Sequence, residues 1–439
     1  MSSVKLHKYT CWLALACLVV PMFGQYFFDD MFSSISYLFN NPAQIELGWD
    51  STGYGLYAGG YSTLCIFGGL IVCGILLDKW GVRITGSIFV GLMTAGAALV
   101  TWAISSGMSP GNSLSVAYAG VMIFGLGSEI TGVAVNRSIA KWFKDGPMAF
   151  AMGLQLAIAR LGTAAALLLS PKLVAMKAPG EMYTLSETAR PAYCGLLLLL
   201  AGCVLWAVFV AMDARFDRNA EGGGREQKSD EFHFRDVLDV LRNRNFIIIS
   251  LLCVFFYSSI VAFKKFAGAI LVPRFDIAPE TASMMVSMLP FATVIFAPLF
   301  GIMVDRMGNG TKWMVAGAVL ALAAHLLLTF APQGVPFWGY LSMVLLGFGY
   351  SLVPAAMWPS VPRIVPAKVL GTAFSLVYWV QNLGLMLFKM LAGVILGKSA
   401  AGTGPLHVEL MFLGVCTAAL LLSWMLRISS SKHPELKLD

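Results

Sequence analysis

Gly74-Ile-Leu-Leu-Asp78-Lys79-Trp80-Gly81 and Gly301-Ile-Met-Val-Asp305-Arg306-Met307-Gly308 are two copies of one pattern, 227 residues apart. Each is a short charged turn between long apolar stretches. The repeat extends beyond them. Ala151-Met-Gly-Leu154 through Leu161-Gly162 returns as Ala373-Phe-Ser-Leu376 through Leu383-Gly384 at an offset of 222, and Gly125 and Gly127 return as Gly347 and Gly349 at the same offset. Two halves built on one ancestral plan are the simplest account.

Composition says what the halves are made of. The chain has 439 residues, 58% hydrophobic and 12% charged, against about 25% charged in a soluble domain. That balance describes a polytopic membrane protein. Twelve apolar segments reach the ~20 residues a crossing needs: 9–28, 53–77, 85–105, 114–140, 147–171, 192–213, 245–272, 281–304, 313–331, 336–362, 369–396 and 407–427. The expected fold is an all-α membrane protein of twelve transmembrane helices in two pseudo-symmetric six-helix halves, residues 1–213 and 245–439. The polar stretch 214–244 joins them as a cytoplasmic linker, and its part from Asp230 to Arg242 reads as an amphipathic surface helix. Segment 1 follows Lys5, His7 and Lys8 with no small-residue cleavage site after it, so an uncleaved helix is expected.

The net charge of +7 does not indicate nucleic acid, because the basic residues sit in short loops. With both termini cytoplasmic, 21 of the 30 Lys and Arg fall on the cytoplasmic side and seven opposite (Lys172, Lys177, Arg190, Lys264, Lys265, Arg274, Lys398), leaving Arg160 and Lys389 in the membrane. That asymmetry sets the orientation. The eight cysteines lie in apolar segments and the five histidines are scattered, so no disulfide, metal or cofactor is expected. No nucleophile–base or metal constellation marks an enzyme.

Glu129 and Arg160 are the exception to the apolar interior. Counted from the segment ends at 114 and 147, they lie 15 and 13 residues in, or about 20 Å at 1.5 Å per residue. A charge at that depth costs roughly 2.5–3.5 kcal/mol on insertion scales and normally marks a substrate or ion path. Arg offers a carboxylate a planar bidentate grip and keeps its proton; Glu offers an acceptor for an ammonium and can titrate. Together they suit the two ends of a zwitterion. The alternative is that they pair with each other to hold two helices. In the second half Asn382 occupies the repeat position of Arg160, with Gln381 beside it, and both suit peptide amides or inter-helix packing. Trp358, Tyr378 and Tyr257 are the aromatic candidates for the same site. Gln155 lies roughly on the face of Arg160. Lys264, Lys265 and Lys389 are expected to snorkel to water, and Asp29 and Asp30 to be solvated loop charges.

Gly-x-x-x-Asp-(Lys/Arg)-x-Gly on a cytoplasmic turn in both halves resembles the signature of the major facilitator superfamily, whose fold is then the one expected. In that reading Asp78, Lys79, Arg83, Asp305 and Arg306 are gating residues, a carboxylate capping the N–H groups of a facing helix and basic groups holding its last carbonyls; setting topology alone is the alternative. Phe124-Gly-Leu-Gly-Ser-Glu129 with Asn136 and Trp142-Phe143-Lys144, Gly153-Leu-Gln-Leu-Ala-Ile-Ala-Arg160-Leu-Gly162, Ala356-Met-Trp358-Pro359, Leu370-Gly-Thr-Ala373 and Gln381-Asn-Leu-Gly384 resemble the major facilitator superfamily domain-containing protein 1 family. A weaker echo is Gly24-Gln-Tyr-Phe-Phe-Asp29. The resemblance implies uniport of dipeptides, as in lysosomal members, with Glu129 at the peptide amino group, Arg160 at its carboxylate and Trp358 as an aromatic wall.

The expected protein is therefore a monomeric carrier of dipeptides or similar small zwitterions working by alternating access in a lipid bilayer. A proton-coupled peptide or amino-acid symporter, an organic-anion or monocarboxylate carrier, and a non-transporting scaffold or receptor are the rivals. Termini of about ten residues without an acidic dileucine signal favour a bacterial inner membrane over a lysosome.

Overall fold

In the computed structural model no strand occurs among the described residues, which are 2–143, 148–175, 177, 181–219, 242–365, 370–400 and 402–432. Helices are what a chain without water to solvate its backbone must form, since each satisfies its own N–H and C=O groups. Eleven helical runs among the described residues are long and apolar enough to cross a membrane. The expected segment 53–77 is not one of them. It is a short helix α2 (Ser51–Gly60), a π-helical turn at Cys65–Gly69, and the start of α3 (Leu70–Ser105). Gly68 has φ 92°, and Gly81 has φ 73° and ψ 171°. Both values are open to glycine and strained for other residues, so the chain bends at single glycines where the pattern read a full helix and a loop.

Two compact units result. The first comprises Met1–Phe32 and Gly60–Ser229, with α1 (Ser2–Asp30), α3, α4 (Pro110–Trp142), α5 (Met148–Val174) and α6 (Leu185–Asn219). Leu15, Leu18, Met22, Val135, Ile139, Ala159 and Phe209 build a buried core joining α1, α4, α5 and α6. α3 and α4 cross where side chains are missing: a Cβ on Gly120 would lie 2.9 Å from the Gly96 carbonyl, and one on Gly127 2.5 Å from the Met93 nitrogen. Without a hydrophobic force between helices in lipid, close approach at small residues is what binds them.

The second unit comprises Ser33–Gly59 and Asp230–Asp439. It holds α7 (Arg244–Tyr257), a π-helical turn at Ser258–Ala262, α8 (Phe263–Phe275), α9 (Pro279–Met307), α10 (Gly310–Phe330), α11 (Pro336–Ile364), α12 (Leu370–Lys398) and α13 (Gly404–Lys432). Here α10 and α11 cross at Gly317 and Gly349, where a Cβ on Gly349 would lie 2.8 Å from the Gly317 carbonyl. Gly127 and Gly349, equivalent in the sequence repeat, thus serve equivalent crossings. Arg274 of α8 closes the end of α10, donating from Nε to the Leu328 carbonyl at 2.9 Å and from Nη2 to that of Thr329 at 2.8 Å. His325 and Glu409 form a fully buried pair, Nδ1 to Oε2 3.0 Å, between α10 and α13.

Residues 33–59 were expected within the first half but pack with the second unit. Hydrogen bonds to one stretch of α8 hold them there. Ser36 Oγ accepts the N–H of Ala269 at 3.0 Å, Asn40 Nδ2 donates to the Ala269 carbonyl at 3.1 Å, and Tyr54 donates its hydroxyl to the Lys265 carbonyl at 2.9 Å. On α12 a Cβ at Gly393 would lie 2.6 Å from the Cα of Gly55. The lysines also depart from expectation: Lys264, Lys265 and Lys389 are 7%, 2% and 2% exposed, so they are buried rather than snorkelling to water. The expected surface helix from Asp230 lies outside the described residues except at its end, Arg242.

Candidate substrate site

Glu129 owes its setting to the glycines before it. On α4, Gly125 sits one helical turn below Glu129 and on the same face. A Cβ at Gly125 would collide with the Tyr61 carbonyl oxygen, and one at Gly60 would lie 2.7 Å from Val121 Cγ1. Glycine at both positions lets the chain around residue 61 press onto α4. The Tyr61 hydroxyl then stands 3.2 Å from Glu129 Oε1 and 3.1 Å from Ser128 Oγ, within reach of two acceptors for its one hydrogen. Glu129 is half-buried and Ser128 fully buried.

Arg160 lies on α5 in the same unit, half-buried, with its guanidinium carbon 5.6 Å from the centroid of the Tyr26 ring on α1. A cation over an aromatic face is stabilised by the ring quadrupole, the more so when desolvated. Three residues on, Thr163 donates its hydroxyl to Asp30 Oδ2 at 2.8 Å. Asp30 is fully buried, which corrects its reading as a solvated loop charge: α1 continues to residue 30 and carries the carboxylate inside. Gln155 is also buried.

In the second unit the three aromatic candidates meet. Trp358 on α11 donates its indole N–H to the Tyr257 hydroxyl at 3.0 Å and stacks on Tyr378 of α12 at 5.0 Å between centroids. Tyr350 and Phe374 extend the cluster, each about one ring away, at 6.0 Å from Tyr257 and from Trp358. Tyr378 is 45% exposed, leaving much of its ring uncovered by protein. Gln381 and Asn382 are buried, and Asn382 Nδ2 donates to the Tyr378 carbonyl at 3.1 Å, so part of its amide serves its own helix rather than standing open for a ligand.

The signature residues separate. Arg83 reaches its own unit's α6, with Nη2 3.0 Å from Asp217 Oδ2 and Nε 3.6 Å from Asp213 Oδ2. Lys141 completes the group, its Nζ 2.9 Å from Asp213 Oδ1 and 2.7 Å from Asp217 Oδ1, while Trp142 Nε1 donates to Asp213 at 2.8 Å. These contacts fasten α3, just past its break at Gly81, to the ends of α4 and α6. Lys79 is exposed, as are Asp305 and Arg306 at the end of α9, where the Gly308 N–H caps the Val304 carbonyl at 2.9 Å. The side chain of Asp78 lies outside the description.

Sequence reasoning missed Tyr61, Tyr26, Tyr350 and Phe374. Tyr26 stood within the stretch Gly24–Asp29 that had been singled out; nothing local marked the others, because their partners come from distant parts of the chain.

The profile of the Major Facilitator Superfamily matches residues 22–266 and 265–438. The chain belongs to the major facilitator superfamily. It is a multi-pass membrane transporter and not an enzyme. The lysosomal dipeptide transporter MFSD1 of Mus musculus is 29% identical over 416 residues, 93% of this chain and 84% of the relative. The solved structure of the nucleoside transporter NupG (D323A mutant) shares the fold at TM-score 0.70 and 15% identity, covering 94% of this chain and 99% of its own. A D-xylose-proton symporter matches at TM-score 0.69 and 13% identity, with 95% and 96% covered. The mouse relative is lysosomal by name, so this similarity lends no support to a bacterial inner membrane.

Proposed function

We propose that the protein carries dipeptides across its membrane, with Glu129 binding the substrate's amino group and Arg160 its carboxylate. The observation that carries the reading is the retention of opposite charges on neighbouring helices of one unit, each seated against a polar or aromatic group rather than in lipid. The relatives' printed name, lysosomal dipeptide transporter, supports the substrate class. Within the second unit the cluster of Trp358, Tyr257 and Tyr378, with Gln381 and Asn382 beside it, is the aromatic and amide group this reading assigns to substrate side chains. Alternating access between two half-transporters moves the substrate, with a difference in binding between states shifting the equilibrium. Asp78, Lys79, Arg83, Asp305 and Arg306 set the stability of the cytoplasmic ends during that exchange.

The carrier is a uniporter in this reading. Proteoliposomes with an internal pH dye separate it from a proton symporter: a uniporter takes up dipeptide with no internal pH change, and acidification that tracks uptake overturns uniport. A thermal-shift screen of dipeptides, free amino acids and organic anions tests the substrate class. Stabilisation by dipeptides is expected, and stabilisation only by anions that lack an ammonium sinks the proposal.

A further inference from the structure

We infer that Tyr61 is a positioning residue for Glu129, holding its carboxylate by one oxygen and ready for a substrate ammonium. The inference rests on the reading of Glu129 as the amine site.

The Tyr61 hydroxyl has a single hydrogen and two acceptors on consecutive residues, Glu129 Oε1 at 3.2 Å and Ser128 Oγ at 3.1 Å. Before substrate arrives the hydrogen belongs to the carboxylate, since a hydrogen bond to an ionised acceptor is roughly twice as strong as one between neutral groups. When an ammonium reaches Glu129 it takes other lone pairs of the carboxylate, which has about four acceptor sites, and the Tyr61 bond to Oε1 stays in place. The bond is made in both states, so it does not compete with the substrate.

The backbone fixes the phenol for this task. Gly60 and Gly125 allow residues 60 and 61 to lie directly on α4, and any side chain at Gly125 would meet the Tyr61 carbonyl. The Tyr61 ring packs edge-on against Phe124 at 6.0 Å between centroids, and Phe124 is itself held by Phe28 at 4.9 Å. A hydroxyl that pre-sets the carboxylate removes rotamer entropy that substrate binding would otherwise have to supply. It also accounts for the run Gly125-Leu-Gly127-Ser128-Glu129: one glycine for the chain bearing Tyr61, one for α3, the alternate acceptor, and the carboxylate.

The test is a double-mutant cycle of Tyr61→Phe and Glu129→Gln in proteoliposomes, read as KM and saturating rate for a dipeptide, with melting temperatures measured with and without it. Tyr61→Phe is expected to raise KM roughly three- to tenfold, because the rotamer entropy of the released carboxylate then falls on substrate binding, with the saturating rate and the ligand-free melting temperature unchanged. In the Glu129→Gln background the same change is expected to do almost nothing, the signature of coupled residues. Should Glu129→Gln abolish measurable uptake, the loss of dipeptide-induced thermal stabilisation in Tyr61→Phe alone decides. An unchanged KM in Tyr61→Phe overturns the inference, as does a drop in the ligand-free melting temperature with KM intact, which is a packing role, or losses that add in the double variant. A Glu129→Gln protein with wild-type KM instead removes the amine site itself, a separate failure.

Discussion

The guanidinium carbon of Arg160 stands 5.6 Å from the centroid of the Tyr26 ring, joining α5 to α1 within the first unit. That ring orients a charge which cannot be lost by deprotonation. Tyr26→Phe keeps the π face and is expected to leave dipeptide KM within about twofold, while Tyr26→Ala removes about 1–2 kcal/mol of cation–π stabilisation and raises KM several-fold. Uptake kinetics of the two variants check this, and equal effects contradict it.

Trp358 depends on Tyr257 in another way. The indole N–H has the Tyr257 hydroxyl as its acceptor at 3.0 Å. Tyr257→Phe leaves that donor without it, at an expected cost of about 1–3 kcal/mol. A lower apparent melting temperature together with weaker dipeptide stabilisation is the expected outcome in a thermal-shift assay.

The His325–Glu409 pair concerns stability alone. Both residues are at most 1% exposed, and His325 Nε2 and Glu409 Oε1 have no hydrogen-bond partner among the described residues. Removing one member strands the other, so Glu409→Ala is expected to cost roughly 2–4 kcal/mol, between a lost buried hydrogen bond and a broken buried ion pair. Replacing both by leucine is expected to recover much of that loss, because no stranded polar group remains. Melting temperatures of the single and double variants measure the difference.

Gly393 tests the packing of residues 33–59. A Cβ there would lie 2.5 Å from the Ser51 carbonyl and 2.6 Å from the Cα of Gly55, both backbone atoms that cannot rotate away. Gly393→Ala is expected to destabilise by about 1–3 kcal/mol through overpacking and to raise hydrogen exchange across residues 51–59. Gly414 has nothing within 4 Å of its would-be Cβ, so Gly414→Ala is the control expected to show neither effect.

What the sequence disclosed follows from what hydropathy and repetition measure. Apolar runs and the copies at Gly74 and Gly301 report length and plan, so the helical membrane fold was readable. Glu129 and Arg160 were readable because a charge in an apolar run has no local excuse. Pairing between distant stretches leaves no such mark. Hydropathy could not tell that Ser36, Asn40 and Tyr54 would take the backbone of α8 as partner, nor that Lys265 would be buried. Asp30 was misread for the same reason, since Thr163, its partner, is 133 residues away. The break at Gly68 was hidden because membrane helices accept glycine without bending at every one.

The grip on both ends of a zwitterion is tested most directly by uptake into proteoliposomes of one dipeptide in three forms: unmodified, N-acetylated and C-amidated. Only the unmodified form is expected to enter at an appreciable rate, with Glu129→Gln and Arg160→Lys each strongly reducing its uptake. Transport of the N-acetylated form at the rate of the parent dipeptide would contradict the amine site at Glu129 and leave an organic-anion carrier built on Arg160.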